Sequence, residues 1–548
     1  MSPCGSEPNA YEDDLGSALG TWCGTTLAHV RAAMSYVPPP LAGPGPDPDD
    51  RRFQDPVWRS GPYHRHLLQA YLTWSRLALA AAGTPYVPAR RRRQAQLLTQ
   101  VLTEALAPTN FLPSNPAALR LARDTRGRSL VRGVGNFLDD VARRGGRPTK
   151  VPPDAYRLGE NLAATPGRVV YRNELMEVLQ YEPQTAEVRR VPLLLIPAWV
   201  NKFYIFDLAP GRSLVEWAVR EGFTVFAISL RDPAPDQSRL GLEDYFLRAP
   251  LRALEIVGEI TGEPRAHLVG VCAGGMLAAS AAAWFAAAEE TGAASLTLLA
   301  SALDYAPSGS ATTATSTQNS SSTGDTAKTS EAELRLLTRL LSNRRGLVDG
   351  RKVSLLFDLL RAQDTIWQPL TSGWLLGERP RPFDIWAWSE DVIDVPRALF
   401  GQTLRLARDN TLADGRLRIG QRPIDLPTVV QDAFVVAGVR DHIISWETVY
   451  RSARLLGGDV SFHLVPSGHV GSIINPPRPG ATYRTGRGVL PADPREWTAR
   501  CSTERESWWV AWTRWLADRS GPHVPGRAPG SARHPAGAPA PGHYVRPR

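Results

Sequence analysis

At 548 residues and 43% hydrophobic side chains, the chain is long enough for more than one domain and has the composition of a soluble globular protein. Its four cysteines (Cys4, Cys23, Cys272, Cys501) lie far apart with no metal-ligand spacing, and no apolar run reaches the roughly 18 residues that span a bilayer. The net charge of +9 owes much to Arg90–Arg93 and the arginines of the last stretch; no nucleic-acid motif accompanies it, so nucleic acid is not an expected partner.

The N-terminus is polar and acidic, without a basic start and apolar run, so it does not read as a secretory signal. A reduced, cytoplasmic protein is expected. Residues 1–50 end in a proline-rich stretch and read as disordered. Residues 51–167 read as a helical N-terminal domain, with Asn115 as an N-cap before Pro116. Its aromatics, Trp58, Tyr63, Tyr71 and Trp74, are expected to serve helix packing. Residues 168–520 alternate strand and helix signals: a hairpin from Arg168, strands at Val191–Pro197 and Phe223–Ser229, then HLVGV from His267, SLTLLAS, Ala433–Gly438 and Ser461–Pro466. This alternation predicts a doubly wound α/β domain with a parallel sheet covered on both faces. Residues 303–426 interrupt the strands and read as an inserted helical cap, with Ser308–Ser330 as a Ser/Thr-rich loop. Residues 521–548 read as a disordered Pro/Gly/Arg tail.

The stretch with the clearest chemistry is HLVGVCAGG, His267 to Gly275. A buried strand runs into Gly270-Val271-Cys272-Ala273-Gly274, and a helix follows. Strand, tight glycine-flanked turn and helix form the setting of a nucleophile elbow, here with cysteine where most carry serine. The helix N-terminus behind Cys272 offers free N–H groups and a positive dipole end, which favour the reactive thiolate. The pentapeptide alone is equally compatible with a buried structural cysteine.

Two further positions change that balance. Asp441 stands just past the strand Ala433–Gly438, and His469 stands in a Gly-flanked loop after the next strand. Sites in such sheets form outside the carboxyl ends of the strands, so Cys272, Asp441 and His469 are expected to converge. Their order along the chain, nucleophile, acid, histidine, is that of α/β-hydrolase folds. His469 would take the thiol proton, and Asp441 would orient it or act on a second proton. His442 directly follows Asp441 and is poorly placed to bond it; His267 and His463 lie within strands and read as structural. Cys4, Cys23 and Cys501 lack any elbow context. For an oxyanion hole, the Ala273 N–H is one candidate donor, and the loop Ala198–Val200, with Trp199 and Val200, supplies the other candidates. Asn201 and Lys202 interrupt that apolar stretch without an evident local reason.

With these residues in view, the chain resembles the poly(3-hydroxyalkanoate) synthases over about residues 50–520. The resemblance is carried by IPAWVNKFYIFDL, GFTVFAISLRDP, LVGVCAGGML, FDLLRAQDTIW, VRDHIISW, SGHVGSIINPP and SWWVAWTRWLADRSG, in this order. It implies an α/β-hydrolase core with an inserted helical cap and a helical N-terminal domain. It implies that Cys272 carries the acyl group and growing chain as a thioester, that His469 activates the thiol and that Asp441 activates the 3-hydroxyl. The implied substrate is an (R)-3-hydroxyacyl-CoA, the implied products CoA and polyester, and the implied location the surface of a cytoplasmic storage granule. A homodimer is implied as well. The sequence shows no metal cluster or nucleotide-binding loop, so no cofactor is expected, and with the N-terminal domain in the same chain no obligatory partner subunit is expected.

The cap departs from the family pattern: Gln368 and Pro369 replace a polar-aromatic pair, and PFDIWAWS ends in Ser389. Thr503–Glu506 replaces a histidine-containing run before the last helix. These departures bear on gating and acyl-chain length, not on the three chemical positions. Two alternatives stay open on sequence: a cysteine-dependent thioesterase, esterase or polyester depolymerase, and an inactive granule-binding homologue.

Overall fold

A computed structural model describes residues 46–47, 50–84, 89–306, 330–486 and 488–546. Nearly all of the N-terminal segment expected to be disordered, with Cys4 and Cys23, lies outside them, as does the Ser/Thr-rich loop up to residue 329. The described chain forms two units: Met1–Thr149 with Arg361–Pro380, and Lys150–Leu360 with Arg381–Arg548.

The first unit is helical, with helices Pro62–Ala82, Ala89–Ala105, Pro116–Asp124 and Arg128–Arg144. Asn115 caps the third as expected, its side chain accepting from the Ala118 N–H at 3.0 Å. Phe53, Trp58 and Tyr71 build a small buried aromatic cluster, whereas Tyr63 is exposed and does not take part. The expectation of one continuous cap over 303–426 needs correction, because Arg361–Pro380 belongs to this unit. The reason is local fit. Gly133 lets the Trp374 carbonyl approach so closely that a Cβ there would lie 2.0 Å from it. The Trp374 indole donates to Asp140 at 2.8 Å, and Asn136 donates to the Gly373 carbonyl at 2.8 Å. The helical unit also ends at Thr149, so residues 150–167 join the second unit.

The second unit is organised by one eleven-stranded sheet. Its strands are β1 Gly167–Arg172, β2 Met176–Tyr181, β3 Glu187–Ile196, β4 Phe223–Leu230, β5 Ala266–Val271 and β6 Ala293–Leu299. After the insertion come β7 Ala433–Gly438, β8 Val460–Val465, β9 Tyr483–Thr485, β10 Ser502–Glu504 and β11 His523–Pro525. The spatial order is β1-β2-β4-β3-β5-β6-β7-β8-β9-β10, with β11 on β3. The expected parallel sheet is β4-β3-β5-β6-β7-β8, and the expected hairpin from Arg168 is β1-β2; the flanking strands all pair antiparallel. Each face is covered. On one, Ala278, Ala279, Ala281, Ala282 and Ala283 of the helix Ala273–Ala286 are fully buried, and their small side chains let the helix lie close to the sheet. On the other, Trp508, Trp509 and Trp512 of the last long helix fill the core.

The tail read as disordered is ordered over 521–546. Its composition supplies little apolar surface, so the order comes from backbone pairing. β11 pairs with the start of β3, and the Val169 and Ala540 N–H groups bond the Ala538 and Gly167 carbonyls at 2.8 and 2.9 Å. Val545 is fully buried at the end.

Candidate active site

The register of the parallel strands brings three chain ends to one edge. Val271 pairs with Leu299, Leu299 with Val436, and Gly438 with Val465. The residues that follow β5, β7 and β8 therefore emerge side by side.

Cys272 follows β5 directly and caps the helix Ala273–Ala286, at φ 52° and ψ −120°. For a residue with a Cβ this is a strained backbone, tolerated where the surroundings hold it. The surroundings here are two close approaches. A Cβ on Gly270 would lie 2.4 Å from the Gly274 carbonyl, and one on Gly274 would lie 2.1 Å from the Ile196 carbonyl. Only glycine allows strand and helix to meet this tightly. The same contact sets the end of β3, and the loop after it, against the first turn of the helix. Ala273 is the first residue of that turn, so its N–H has no partner within the helix. Trp199 is buried and Val200 half-buried in the loop after β3.

Asn201 and Lys202 follow in the same loop. Asn201 forms a backbone bridge with Val392, and the Lys202 carbonyl accepts from the Trp388 indole at 2.8 Å. The polar pair is where the insertion is fastened to the sheet domain.

Asp441 sits in the turn after β7, where its Oδ1 accepts the N–H groups of Ile443 and Ile444 at 2.9 and 3.0 Å. His469 opens a short helix, His469–Ile473, after β8. The two loops are tied together: the Arg440 N–H donates to the Ser467 carbonyl at 2.9 Å, and the Arg440 guanidinium to the Pro466 carbonyl at 2.7 Å. The His469 helix is anchored from the core by the Trp508 indole, which donates to the Ser472 carbonyl at 2.8 Å.

His469 Nδ1 lies 2.7 Å from Asp441 Oδ2, and the side chains are 7% and 1% exposed. A charge pair this dry interacts strongly. Burial alone would lower the His469 pKa, but hydrogen bonds to Asp441 and Cys272, with the charges of both, push it up to about 10. The imidazole thus faces Asp441 through Nδ1, with Cys272 near enough to act on it. At neutral pH this setting holds a proton on His469.

The other histidines differ. His267 lies buried in β5 between Ser295 Oγ and Ser520 Oγ, 2.7 and 2.9 Å away, and burial lowers its pKa to about 3. His463 stacks on Phe434 with ring centroids 3.9 Å apart, its pKa lowered to about 4 by burial. His442 is exposed beside Asp441, and Cys501 bonds the Thr498 carbonyl of its own helix. One neighbour of Cys272 escapes sequence reasoning. Tyr305 follows β6, and its phenol pKa is raised by burial and then by the nearby Cys272. Its only signal was its place just past the end of a strand at the same edge.

The N-terminal part, residues 49–218, matches the family model described as poly-beta-hydroxybutyrate polymerase (PhaC) N-terminus, and residues 191–476 match the alpha/beta hydrolase fold. The chain is 37% identical over 526 residues to poly(3-hydroxyalkanoate) polymerase 1 of Ectopseudomonas oleovorans, covering 95% of this chain and 91% of that one. It is 39% identical over 503 residues to polymerase 2 of the same organism, covering 91% and 87%. The chain belongs to the poly(3-hydroxyalkanoate) polymerase family. A more distant member, the polymerase subunit PhaC of Cupriavidus necator, is 33% identical over 504 residues, with 91% of this chain and 83% of that one covered. These family matches span the helical unit and the sheet domain alike, and they take in the elbow, the Asp441 turn and the His469 loop. The α/β-hydrolase core with a helical N-terminal region is therefore the fold of this polymerase-family chain. Among the described residues, no helix is long and apolar enough to cross a membrane.

Proposed function

We propose that the protein polymerises (R)-3-hydroxyacyl-CoA into polyester, releasing CoA, with Cys272 carrying the chain as a thioester. The observation that carries this reading is the Cys272–His469–Asp441 arrangement on a strained elbow, in a chain of the polymerase family.

The chemistry follows from the geometry. The Cys272 thiolate attacks the thioester carbonyl, the bond from that carbon to the CoA sulfur breaks, and the departing sulfur takes the proton held on His469. The acyl group now sits on Cys272 beside a neutral imidazole. The 3-hydroxyl of an incoming hydroxyacyl thioester then gives its proton to His469 and attacks the Cys272 thioester. An ester forms, the Cys272 thiolate is released, and the thiolate–imidazolium pair is restored. Attack of Cys272 on the extended thioester returns the chain to the enzyme and frees CoA. Thioester and thiolate suit such repeated exchange because each is both reactive and a good leaving group. The Ala273 N–H, with donors from the Trp199–Val200 segment, would hold the oxyanion of each tetrahedral step.

Asp441 takes a narrower part in this scheme than the family resemblance implies. One oxygen accepts from His469, the other from two backbone N–H groups, and the side chain is 1% exposed. It orients and charges His469, and His469 serves both proton transfers. We extend the reading to a cytoplasmic enzyme working at the polyester surface, as a homodimer, with no cofactor beyond the substrate thioester.

The test is purified protein given (R)-3-hydroxybutyryl-CoA, beside Cys272→Ala, with free thiol and pelletable polyester quantified together. Thiol and polymer together, both lost in the variant, support the reading. Thiol with only free hydroxy acid would make the enzyme a hydrolase. If neither product forms, a longer 3-hydroxyacyl-CoA is tried, and failure with it too would contradict the reading.

A further inference from the structure

The turn at Gly542–Val545 is tied to a buried carboxyl group. Glu177 on β2 is fully buried, and its Oε2 accepts the N–H groups of His543 and Tyr544 at 2.9 and 3.0 Å. Its Oε1 accepts from Arg172 Nε at 2.8 Å. Gly542 makes the approach possible, since a Cβ there would lie 2.3 Å from Glu177 Oε2. The Tyr544 ring lies 5.2 Å from the Arg231 guanidinium and 5.6 Å from that of Arg172, and its hydroxyl donates to the Asn173 carbonyl at 2.7 Å. Val545 fills the core beside it.

What this anchored turn presents inward is a carbonyl. The Tyr544 oxygen lies 3.5 Å from Lys202 Nζ, a lysine only 4% exposed. The Lys202 charge also reaches Asp391, whose pKa is raised by burial and drawn back by Lys202. Asp391 in turn accepts from the Tyr204 hydroxyl at 2.8 Å. The loop after β3 is thus held on two sides: by the insertion, through Trp388 and Val392, and by the C-terminus, through Lys202. A buried ammonium needs such partners to stay where it is. Trp199 and Val200 lie three and two positions before Lys202, in the same loop.

We propose that residues Gly542–Val545 are a strap that positions the loop after β3, and through it the oxyanion side of the acyl-transfer site. Tyr544 and Lys202 are positioning residues, and the proposal rests on the acyl-transfer reading above. Tightening matters because a displacement on the order of 1 Å at a reacting centre costs up to roughly 10²-fold in rate.

The test compares the full chain, a chain ending at Pro541, Lys202→Met and the combination. Three quantities are measured: kcat and KM for CoA release from (R)-3-hydroxybutyryl-CoA or a longer homologue, the rate of Cys272 alkylation by iodoacetamide, and the thermal midpoint. Alkylation needs the thiolate and His469 but no oxyanion donors. The expected result is a fall in kcat of about 10- to 100-fold for the truncated chain, with KM and alkylation within about twofold. Lys202→Met should reproduce the loss, and the combination should add little to it, since both act on one contact. Full-speed turnover by the truncated chain, or alkylation falling in step with turnover, would overturn the strap. Should removal of the Glu177 partners unfold the truncated chain, Lys202→Met decides alone: slowed turnover with normal alkylation supports the strap, and unchanged turnover overturns it. A full chain that releases no CoA would instead bring down the acyl-transfer reading itself, and the strap with it.

Discussion

Three of the buried histidines of the sheet domain, His267, His463 and His469, sit in opposite electrostatic settings. In the sheet interior, His267 bonds two serine hydroxyls and His463 lies flat on Phe434; burial lowers their pKa values to about 3 and about 4. At the carboxyl edge, burial acts on His469 in the same direction, yet Asp441 and Cys272 overcome it and the value rises to about 10. Burial therefore favours the neutral imidazole but does not by itself fix its charge. A carboxylate 2.7 Å away and a nearby thiol decide it.

The largest effect expected is loss of the nucleophile. Cys272→Ala should lower CoA release by about 10⁴-fold or more, as removal of a triad nucleophile does, while the fold survives by circular dichroism. Asp441→Asn comes next. It keeps the shape but removes the charge that holds the His469 proton, and a loss of about 10³- to 10⁴-fold in kcat is expected. Iodoacetamide should alkylate Cys272 more slowly in this variant near neutral pH. Alkylation at the unaltered rate would show that the edge histidine is charged without Asp441.

The histidines also predict stability against pH with opposite signs. His469 has a folded pKa above its unfolded value of about 6.5, so its contribution is fully present below that value and fades as pH rises to about 10. His267 and His463 have folded values below 6.5, so they cost stability as pH falls through 6.5 toward about 3 to 4. Thermal midpoints of the wild type and His469→Gln should converge on the alkaline side, and those of the wild type and His267→Gln on the acid side. Parallel curves for either pair would break the comparison. The smallest effect is expected from Ser520→Ala. It leaves His267 Nε2 buried with one partner fewer, which costs about 1–3 kcal/mol in urea unfolding and leaves kcat unchanged.

The elbow was legible because its chemistry demands local signs: glycines at 270 and 274, an apolar strand before, a helix after. Asp441 and His469 were legible by position, as residues just past strand ends that a parallel register must align. What the sequence hid was long-range. The tail looks disordered because its few apolar residues gain nothing locally; its order depends on the edges of β1 and β3 and on the buried Glu177. The antiparallel strands β9, β10 and β11 have three residues each, too short for a periodic pattern to register. Arg361–Pro380 looked continuous with the cap because both are helical and Trp-rich; the close fit of Gly133 to Trp374 and the hydrogen bonds of Asp140 and Asn136 to this segment place it with the helical unit. Tyr305 carried no motif, and its nearness to Cys272 appears only in three dimensions.

The most direct measurement is the mass of the Cys272 peptide after turnover of an (R)-3-hydroxyacyl-CoA is quenched in acid. The expected result is a ladder of hydroxyacyl units on Cys272, removed by hydroxylamine and absent from Cys272→Ala. Turnover continuing with Cys272 unmodified, or the acyl ladder on another residue, would contradict the assignment of the edge cysteine as the chain carrier.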